Sequence, residues 1–268
     1  MSSKADWTGD VVIVGGGWSG MLCAKHCMSL GLNVRMLEKS PAVGGVWVYN
    51  EKQPGGVMAS TQTTSSWSFT EISDCACLVE EGLNADFPRH DIVLRYLQKF
   101  AKQNNLEEHT SFNCEAENIQ KLSGKFHTTG SDGQLYVSDR IVMATGQLGN
   151  PRSRGFEDLT KDFTGEVRHA NTYKRIKEEH YGKNVLVIGG GETASDLCNE
   201  VSYAAENVYL SIPNGQWFGG RFNQHWDYAT AWPLDNFSSR LRRNLLDGNP
   251  DPEKFEAMKV WAEKYDGK

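Results

Sequence analysis

Between residues 11 and 37 the apolar and polar positions fall into a strand, helix, strand order. Residues 11–14 are an unbroken β-branched run, Val-Val-Ile-Val, of the kind that a sheet buries on both faces, and the run ends in three glycines. The spacing beyond predicts a helix over 19–30, stopped by Gly31, and a second strand over 33–37. The stretch 59–68 is rich in Ser, Thr and Gln and reads as a loop that is either solvated or lines a polar cavity. Asp91 reads as the N-cap of a helix that places Val93, Tyr96, Leu97 and Phe100 on one face. Strands over 111–118, 119–127 and 134–138, with a turn over 130–133, predict a small antiparallel excursion. A further buried strand over 140–144 ends in Ala144-Thr145-Gly146 and returns to the first sheet, and Gly149, Asn150 and Pro151 mark a domain boundary.

The strand-glycine-helix pattern then recurs. Residues 185–188 form an apolar run leading into Gly189-Gly190-Gly191, followed by a helix with Ala194, Leu197, Cys198 and Val201 on one face and a strand over 207–212. Gly15, Gly17 and Gly20 fit the G-x-G-x-x-G dinucleotide fingerprint, and Gly189, Gly191 and Ala194 fit its variant ending in alanine. The chemistry explains the spacing: one glycine makes the tight turn, one lets backbone approach a pyrophosphate, and the last packs helix on strand. The helix N-terminus then presents free N–H groups and its positive dipole end to that anion. Glu38 follows the first fingerprint at the spacing of a ribose-binding carboxylate. After the second fingerprint no acid stands there; Ser211, Asn214 and Arg221 do, which suits a 2′-phosphate. Two fingerprints imply two dinucleotides, FAD first and NADPH second, and together these mean hydride transfer. The expected architecture is α/β, with two Rossmann-like dinucleotide-binding domains, the second inserted into the first and incomplete: an FAD domain over 1–150 and an NADPH domain over 151–268. Gly44 and Gly45 before Val46 and Trp47 suggest close backbone approach beside a flat ligand, or equally a turn before a core Trp.

Charge and cysteine content narrow the partners. A formal net charge of -6 over 268 residues leaves no electrostatic footprint for nucleic acid or an anionic membrane, so a small molecule is the expected partner. The six cysteines show neither CxxC nor zinc spacing and read as free thiols of a reducing compartment, with Cys75 and Cys77 buried and inert. Lack of CxxC argues against a thioredoxin-reductase type of enzyme. The polar N-terminus and the lack of an apolar run near about 20 residues lead to the expectation of a soluble, cytoplasmic protein without a membrane span.

Residues 163–173 match F-x-G-x-x-x-H, with Phe163, Gly165 and His169, followed by Tyr173. With the two fingerprints in order on either side, the chain resembles the flavin-containing monooxygenases over nearly its whole length. The related Baeyer–Villiger enzymes carry Trp then Pro or Asp at the end of that stretch, where this chain has Tyr173 and Lys174, so heteroatom oxygenation is expected over ketone oxygenation. His169 is either a packing residue of the linker or a proton-transfer group. The resemblance implies a flavin reduced by NADPH that takes up O2 as a C4a-hydroperoxide and delivers one oxygen atom to an amine nitrogen or sulfide sulfur. It further implies FAD held by Gly15, Gly17, Trp18, Ser19, Gly20, Glu38, Lys39, Gly45, Val46, Trp47, Ala116, Thr145 and Gly146, and NADPH held by Gly189, Gly191, Glu192, Thr193, Ala194, Ser195, Asp196 and Arg221. Ser60, Thr61 and Gln62 would lie beside flavin and nicotinamide, with Thr61 and Gln62 as catalytic candidates; the family typically has Asn where this chain has Gln62.

Family members usually continue well past residue 268, so the chain is expected to be a fragment, a natural short form or one half of a two-chain enzyme. A complementary chain or a homo-oligomer is the matching partner expectation. Segments 238–246 and 255–265 read as amphipathic helices, and Trp217, Trp226 and Trp232 as core or lid residues. The alternatives to full turnover are a flavin-binding subunit and an uncoupled NADPH oxidase.

Overall fold

The β-branched run becomes the centre of a six-stranded sheet. In a computed structural model, which describes residues 5–66, 70–73, 75, 87–147, 149, 151 and 160–215, the chain forms β1 (Trp7–Val14), α1 (Trp18–Ser29), β2 (Val34–Glu38), α2 (His90–Gln103), β3 (Thr110–Phe112), β4 (Ala116–Leu122), β5 (Lys125–Gly130), β6 (Leu135–Met143), β7 (Asn184–Ile188), α3 (Glu192–Val201) and β8 (Asn207–Ser211). The large sheet has the order β3-β2-β1-β6-β5-β4. Its first three pairings are parallel and the last two antiparallel. Strands β7 and β8 pair in parallel as a separate two-stranded sheet.

Val12 and Ile13 are wholly buried because β1 has neighbours on both edges and side chains against both faces. Helix α1 buries Met21 and Ala24, and it stops at Gly31, whose φ of +77° and N–H bond to the Met28 carbonyl make the left-handed exit that glycine permits. Helix α2 buries Ile92, Val93, Tyr96, Leu97, Phe100 and Ala101, as its periodicity predicts. Asp91 does not cap it. Arg89 occupies the N-cap with extended backbone and Asp91 sits in the first turn, because the Arg89 carbonyl accepts the first helical bond, from the Val93 N–H at 3.1 Å.

The antiparallel excursion exists, with different bounds. Asn113, at φ +53°, separates the short parallel β3 from β4, so the expected strand over 111–118 is two strands in two pairings. The β4–β5 hairpin turns at Ser123 and Gly124, with consecutive positive φ values of 50° and 86°, the geometry of a two-residue hairpin loop. The expected strands over 134–138 and 140–144 are one strand, β6, which pairs parallel with β1 and antiparallel with β5. Its first half is buried, whereas Met143 in the second half is 59% exposed, against the expectation of burial throughout. The expected burial of 185–188 likewise fails: Val187 is buried, but Leu186 and Ile188 are more than half exposed on a sheet that has two strands among the described residues. In α3, Ala194 and Val201 are buried, with Leu197 and Cys198 partly so.

By compactness the chain divides into residues 1–62 with 89–216, which contain both sheets, and residues 63–88 with 217–268. In the second unit the Thr63 N–H donates to the Pro88 carbonyl at 3.0 Å. The anticipated helices over 238–246 and 255–265, the three tryptophans between 217 and 232, Arg221 and Cys77 lie outside the described residues. No described helix is long and apolar enough to cross a membrane.

On one face of the large sheet, Val12, Val14, Leu37, Cys114 and Tyr136 form a buried cluster flanked by Trp7, Ala116, Ile119 and Ile141. The Tyr136 hydroxyl donates to Asp132 Oδ2 at 2.6 Å and lies 3.0 Å from Ser111 Oγ. Burial disfavours the Asp132 carboxylate, but hydrogen bonds from Tyr136 and the Gln134 N–H outweigh it and hold the pKa below the usual 3.8. The unfolded chain therefore binds this proton first, and the carboxylate's contribution, complete above about pH 4, is lost as pH falls through the folded value. Tyr136→Phe is expected to cost about 1–2 kcal/mol at neutral pH and to lessen the loss of stability below pH 4, as read by urea unfolding across that range; an unchanged acid limb would contradict the assignment.

Candidate functional site

Three glycines and a carboxylate build the first turn. Gly15 leaves β1 at φ +107°, with its N–H donating to the Leu37 carbonyl at 2.8 Å. A Cβ on Gly15 would lie 2.4 Å from the Ala144 carbonyl oxygen, and one on Gly20 would lie 1.9 Å from the Gly15 carbonyl oxygen. Any side chain therefore forces strand and helix apart. Gly17 is the N-cap of α1 in extended conformation and makes no side-chain capping bond, so the first-turn N–H groups of the helix are left to a ligand or water.

The Gly44-Gly45-Val46-Trp47 segment packs directly onto this turn. The Gly44 N–H donates to the Gly16 carbonyl at 3.0 Å, and a Cβ on Gly45 would meet Gly17 Cα at 2.9 Å. The close approach here is of backbone to backbone, Gly45 against Gly17, and the segment is also a turn that leads into Trp47. Val46 is exposed and Trp47 half-buried in the 3-10 turn Gly45–Trp47.

Glu38, at the end of β2, is buried and reaches back to the turn. Its Oε2 accepts the Gly16 N–H at 2.6 Å and its Oε1 accepts the Ser40 N–H at 2.8 Å. Each oxygen keeps a further acceptor site, as a ribose diol requires. Gly16, inside the 15–20 turn, has the same requirement: a Cβ there would stand 3.0 Å from Glu38 Oε2.

The other expected first-site residues are distributed unevenly. Trp18 tilts against Tyr96 of α2 at 6.3 Å between ring centroids, Ser19 and Lys39 are exposed, and Ala116 packs on the Val12–Leu37 cluster. Thr145 and Gly146 are exposed just after Ala144, whose N–H donates to the Val14 carbonyl at 2.9 Å beside Gly15. In the polar loop, Thr61 Oγ1 accepts the Met58 N–H at 2.9 Å, and the exposed Gln62 bridges Arg89 in antiparallel fashion.

The second turn repeats the pattern on a smaller support. Gly189, at φ +138°, donates its N–H to the Ser211 carbonyl at 2.9 Å, Gly191 is the N-cap of α3, and Ala194 is buried behind the turn. Glu192 and Thr193 are exposed on the first turn of α3, Ser195 Oγ donates to the Gly191 carbonyl at 3.4 Å, and Asp196 follows half-buried.

The linker motif fastens loop 50–60 rather than reaching into either turn. His169 Nδ1 accepts the Asn171 N–H at 3.2 Å and caps the 3-10 turn Ala170–Thr172. The Asn171 carbonyl then accepts the Gly55 N–H at 2.7 Å and the Lys174 carbonyl accepts the Ala59 N–H at 2.8 Å. Arg175 pairs with Glu51 at 3.0 Å, and Ser60 donates to the Glu200 carboxylate of α3. Burial and the nearby Glu200 carboxylate push the Tyr173 phenol up. Glu200 and Lys174 were not legible as site residues, since a carboxylate on a helix and a lysine in a loop are ordinary surface groups in a sequence.

A glycine-cradled turn answered by a buried Glu at the end of the next strand is the arrangement of the dinucleotide fingerprint. The chain belongs to the flavin-binding monooxygenase-like family, whose sequence profile matches residues 8–250. It is 29% identical over 253 residues to the N-oxide-forming dimethylaniline monooxygenase 2 of Macaca mulatta, covering 88% of this chain and 45% of that protein. The chain thus spans less than half the length of this curated relative. Among solved structures, S-allyl-L-cysteine S-oxygenase from Allium sativum superposes with a TM-score of 0.67 at 22% identity, over 78% of this chain and 52% of that one. A cyclohexanone monooxygenase from Rhodococcus bound to NADP+ gives a TM-score of 0.60 at 22% identity, over 79% of this chain and 39% of that one. These two likenesses establish the fold.

Lys174 offers a direct check on the clamp. It is only 4% exposed, its Nζ donates to the Gly55 carbonyl, and burial lowers its pKa from 10.5. Between the lowered value and 10.5 the unfolded chain binds more protons than the folded one, so this residue makes stability rise with pH there. Relative to Lys174→Met, the wild-type protein is expected to gain stability as pH rises toward 10.5, measured by urea midpoints; a constant difference would rule out the lowered lysine.

Proposed function

We propose that this chain is the cofactor-binding part of a monooxygenase that binds FAD at the first glycine turn and NADPH at the second, and places one oxygen atom of O2 on an amine nitrogen or a sulfide sulfur. The observation that carries the reading is the cradle made by Gly15, Gly17, Gly20 and Gly45, where every added Cβ meets backbone at 3.5 Å or less, with the Glu38 carboxylate buried beside it. Family membership supplies the chemistry: bound there, the flavin provides the redox and oxygen reactivity that no side chain has.

The protein's own groups then have assignable tasks. The first-turn N–H groups of α1 receive the pyrophosphate, and the free acceptor sites of Glu38 take ribose hydroxyls. Ser60, Thr61 and Gln62 form the polar edge beside the flavin ring, with the Gln62 amide as donor and Thr61 held in place through Met58. The second turn takes the NADPH pyrophosphate, and Ser211, Asn214 and Arg221 leave room for a 2′-phosphate. On this reading residues 1–150 form the FAD domain and residues 151–268 the NADPH domain. The dimethylaniline and S-allyl-L-cysteine relatives favour a soft heteroatom substrate.

The test is made on the purified full chain titrated with FAD, reduced anaerobically with NADPH and mixed with oxygen and an aryl methyl sulfide. The expected result is one sulfoxide per NADPH consumed. Flavin binding without NADPH reduction would overturn the monooxygenase reading in favour of a flavin-binding subunit, for which the two-stranded β7–β8 sheet is the observation in favour. Gly20→Ala is expected to weaken FAD binding at least about tenfold, because its Cβ would fall 1.9 Å from the Gly15 carbonyl oxygen. Gln62→Ala is expected to keep FAD binding and shift NADPH consumption toward hydrogen peroxide, roughly tenfold in the ratio of product to peroxide. Unaltered coupling would remove Gln62 from the site.

A further inference from the structure

Helix α1 carries two thiols that neither the glycine turn nor the core uses. Cys23 and Cys27 are four residues apart, so they share a face, and their sulfurs are 3.9 Å apart. Both are half-buried, flanking the face on which Gly20, Met21 and Ala24 meet the sheet, and neither is bridged. Two thiols this close invite either oxidation to a disulfide or capture of an atom that takes two sulfurs.

The helix decides between these. Side chains four apart on a helix start from Cβ atoms about 5–6 Å apart. A disulfide needs its Cβ atoms at about 3.5–4.5 Å. Closing the bond would therefore pull in the backbone of an uninterrupted twelve-residue helix whose N-terminus and glycine packing are fixed by the turn at Gly15 and Gly20. A bridging atom between the sulfurs relieves that demand. Burial and the neighbouring Cys27 push the Cys23 thiol up, which keeps it protonated and slows attack on disulfides and peroxide.

We propose that Cys23 and Cys27 form a two-thiolate site for a thiophilic, trivalent metalloid, with organic arsenic(III) as its representative ligand. The capture step balances without an oxidant. For an arsenous group bearing two hydroxyls, two S–H and two As–O bonds break, two As–S bonds form, two waters leave, and arsenic stays trivalent. The site lies on the helix behind the first glycine turn and is independent of the monooxygenase reading, since it requires neither flavin nor NADPH.

The experiment titrates the full chain with phenylarsine oxide and reads the adduct by intact-mass and peptide mass spectrometry after alkylation. The expected result is one phenylarsenic group per chain, with Cys23 and Cys27 protected from alkylation, removed by a dithiol and retained against a monothiol. Cys23→Ser and Cys27→Ser are each expected to weaken binding at least about 100-fold, the loss of the second, intramolecular contact. A double substitution of Cys75 and Cys77 to Ser, the other close pair in the sequence, is expected to change nothing. Wild-type affinity in either serine variant, or protection mapping to Cys75 and Cys77, overturns the proposal. So does ready formation of a Cys23–Cys27 disulfide with diamide, because the helix geometry is what selects the metalloid. The protection map on the unsubstituted chain decides the matter even where a variant folds poorly.

Discussion

The structure depends on how closely the backbone of α1 approaches the end of β1. No side chain fits between Gly20 and the Gly15 carbonyl, and that contact sets where the helix starts, which way its N-terminus points and how it lies on the sheet. The glycines of the turn cost about 0.5–1 kcal/mol each in extra chain entropy. Burial of Val11, Val12, Ile13 and Val14 contributes about 1.5–3 kcal/mol for each side chain and outweighs that cost. The hydrophobic strand is thus what holds a glycine-rich turn in place. Glu38 and the Gly44–Gly45 pair then close on it from two sides, through the N–H and the carbonyl of the same residue, Gly16.

The two glycine turns share a design and differ in what stands behind them. Among the described residues the first is backed by a six-stranded sheet with side chains buried on both faces, the second by two strands whose Leu186 and Ile188 are exposed. Order in the second region comes instead from specific polar ties. The linker motif bonds loop 50–60 through Asn171 and Lys174, while Glu200 of α3 receives Ser60. A packed core tolerates many apolar substitutions, whereas such ties fail one atom at a time. The family motif around His169 is accordingly a structural fastening whose histidine is occupied in capping a turn.

Most of the first unit's pattern was legible because β-branched runs, glycine exits and amphipathic spacing are local signals. The helix over 19–30, the strand over 33–37 and the buried face of α2 follow from them within a residue or so. The elements misread are those decided by partners distant in sequence. Residues 140–144 look like an independent buried strand, but they continue β6, and their exposure depends on what packs there. Asp91 has the chemistry of a cap, yet the helix starts two residues earlier, where the Arg89 carbonyl accepts the Val93 N–H and the Thr61 carbonyl takes the His90 N–H. Ser123-Gly124 was a turn signal passed over in favour of a strand boundary four residues earlier. In the candidate site, the glycines and Glu38 were readable because the fingerprint is a fixed spacing along the chain, while Lys174 and Glu200 act through contacts that spacing does not encode.

The pairing of β1 with β6 has a consequence for biosynthesis. Trp7 lies opposite Tyr136, so the central strand of the sheet acquires its second neighbour only after 129 further residues have been made. At ordinary translation rates that interval is on the order of 10 s, far longer than helix or hairpin formation. Once β2 has followed, the apolar strand can pair with it on one edge, and its other edge stays open until β6 is made. Its exposure to chaperones on the ribosome is therefore governed by the length of the segment between β2 and β6, and lengthening or shortening that segment would change how long the nascent chain stays vulnerable without altering the finished fold.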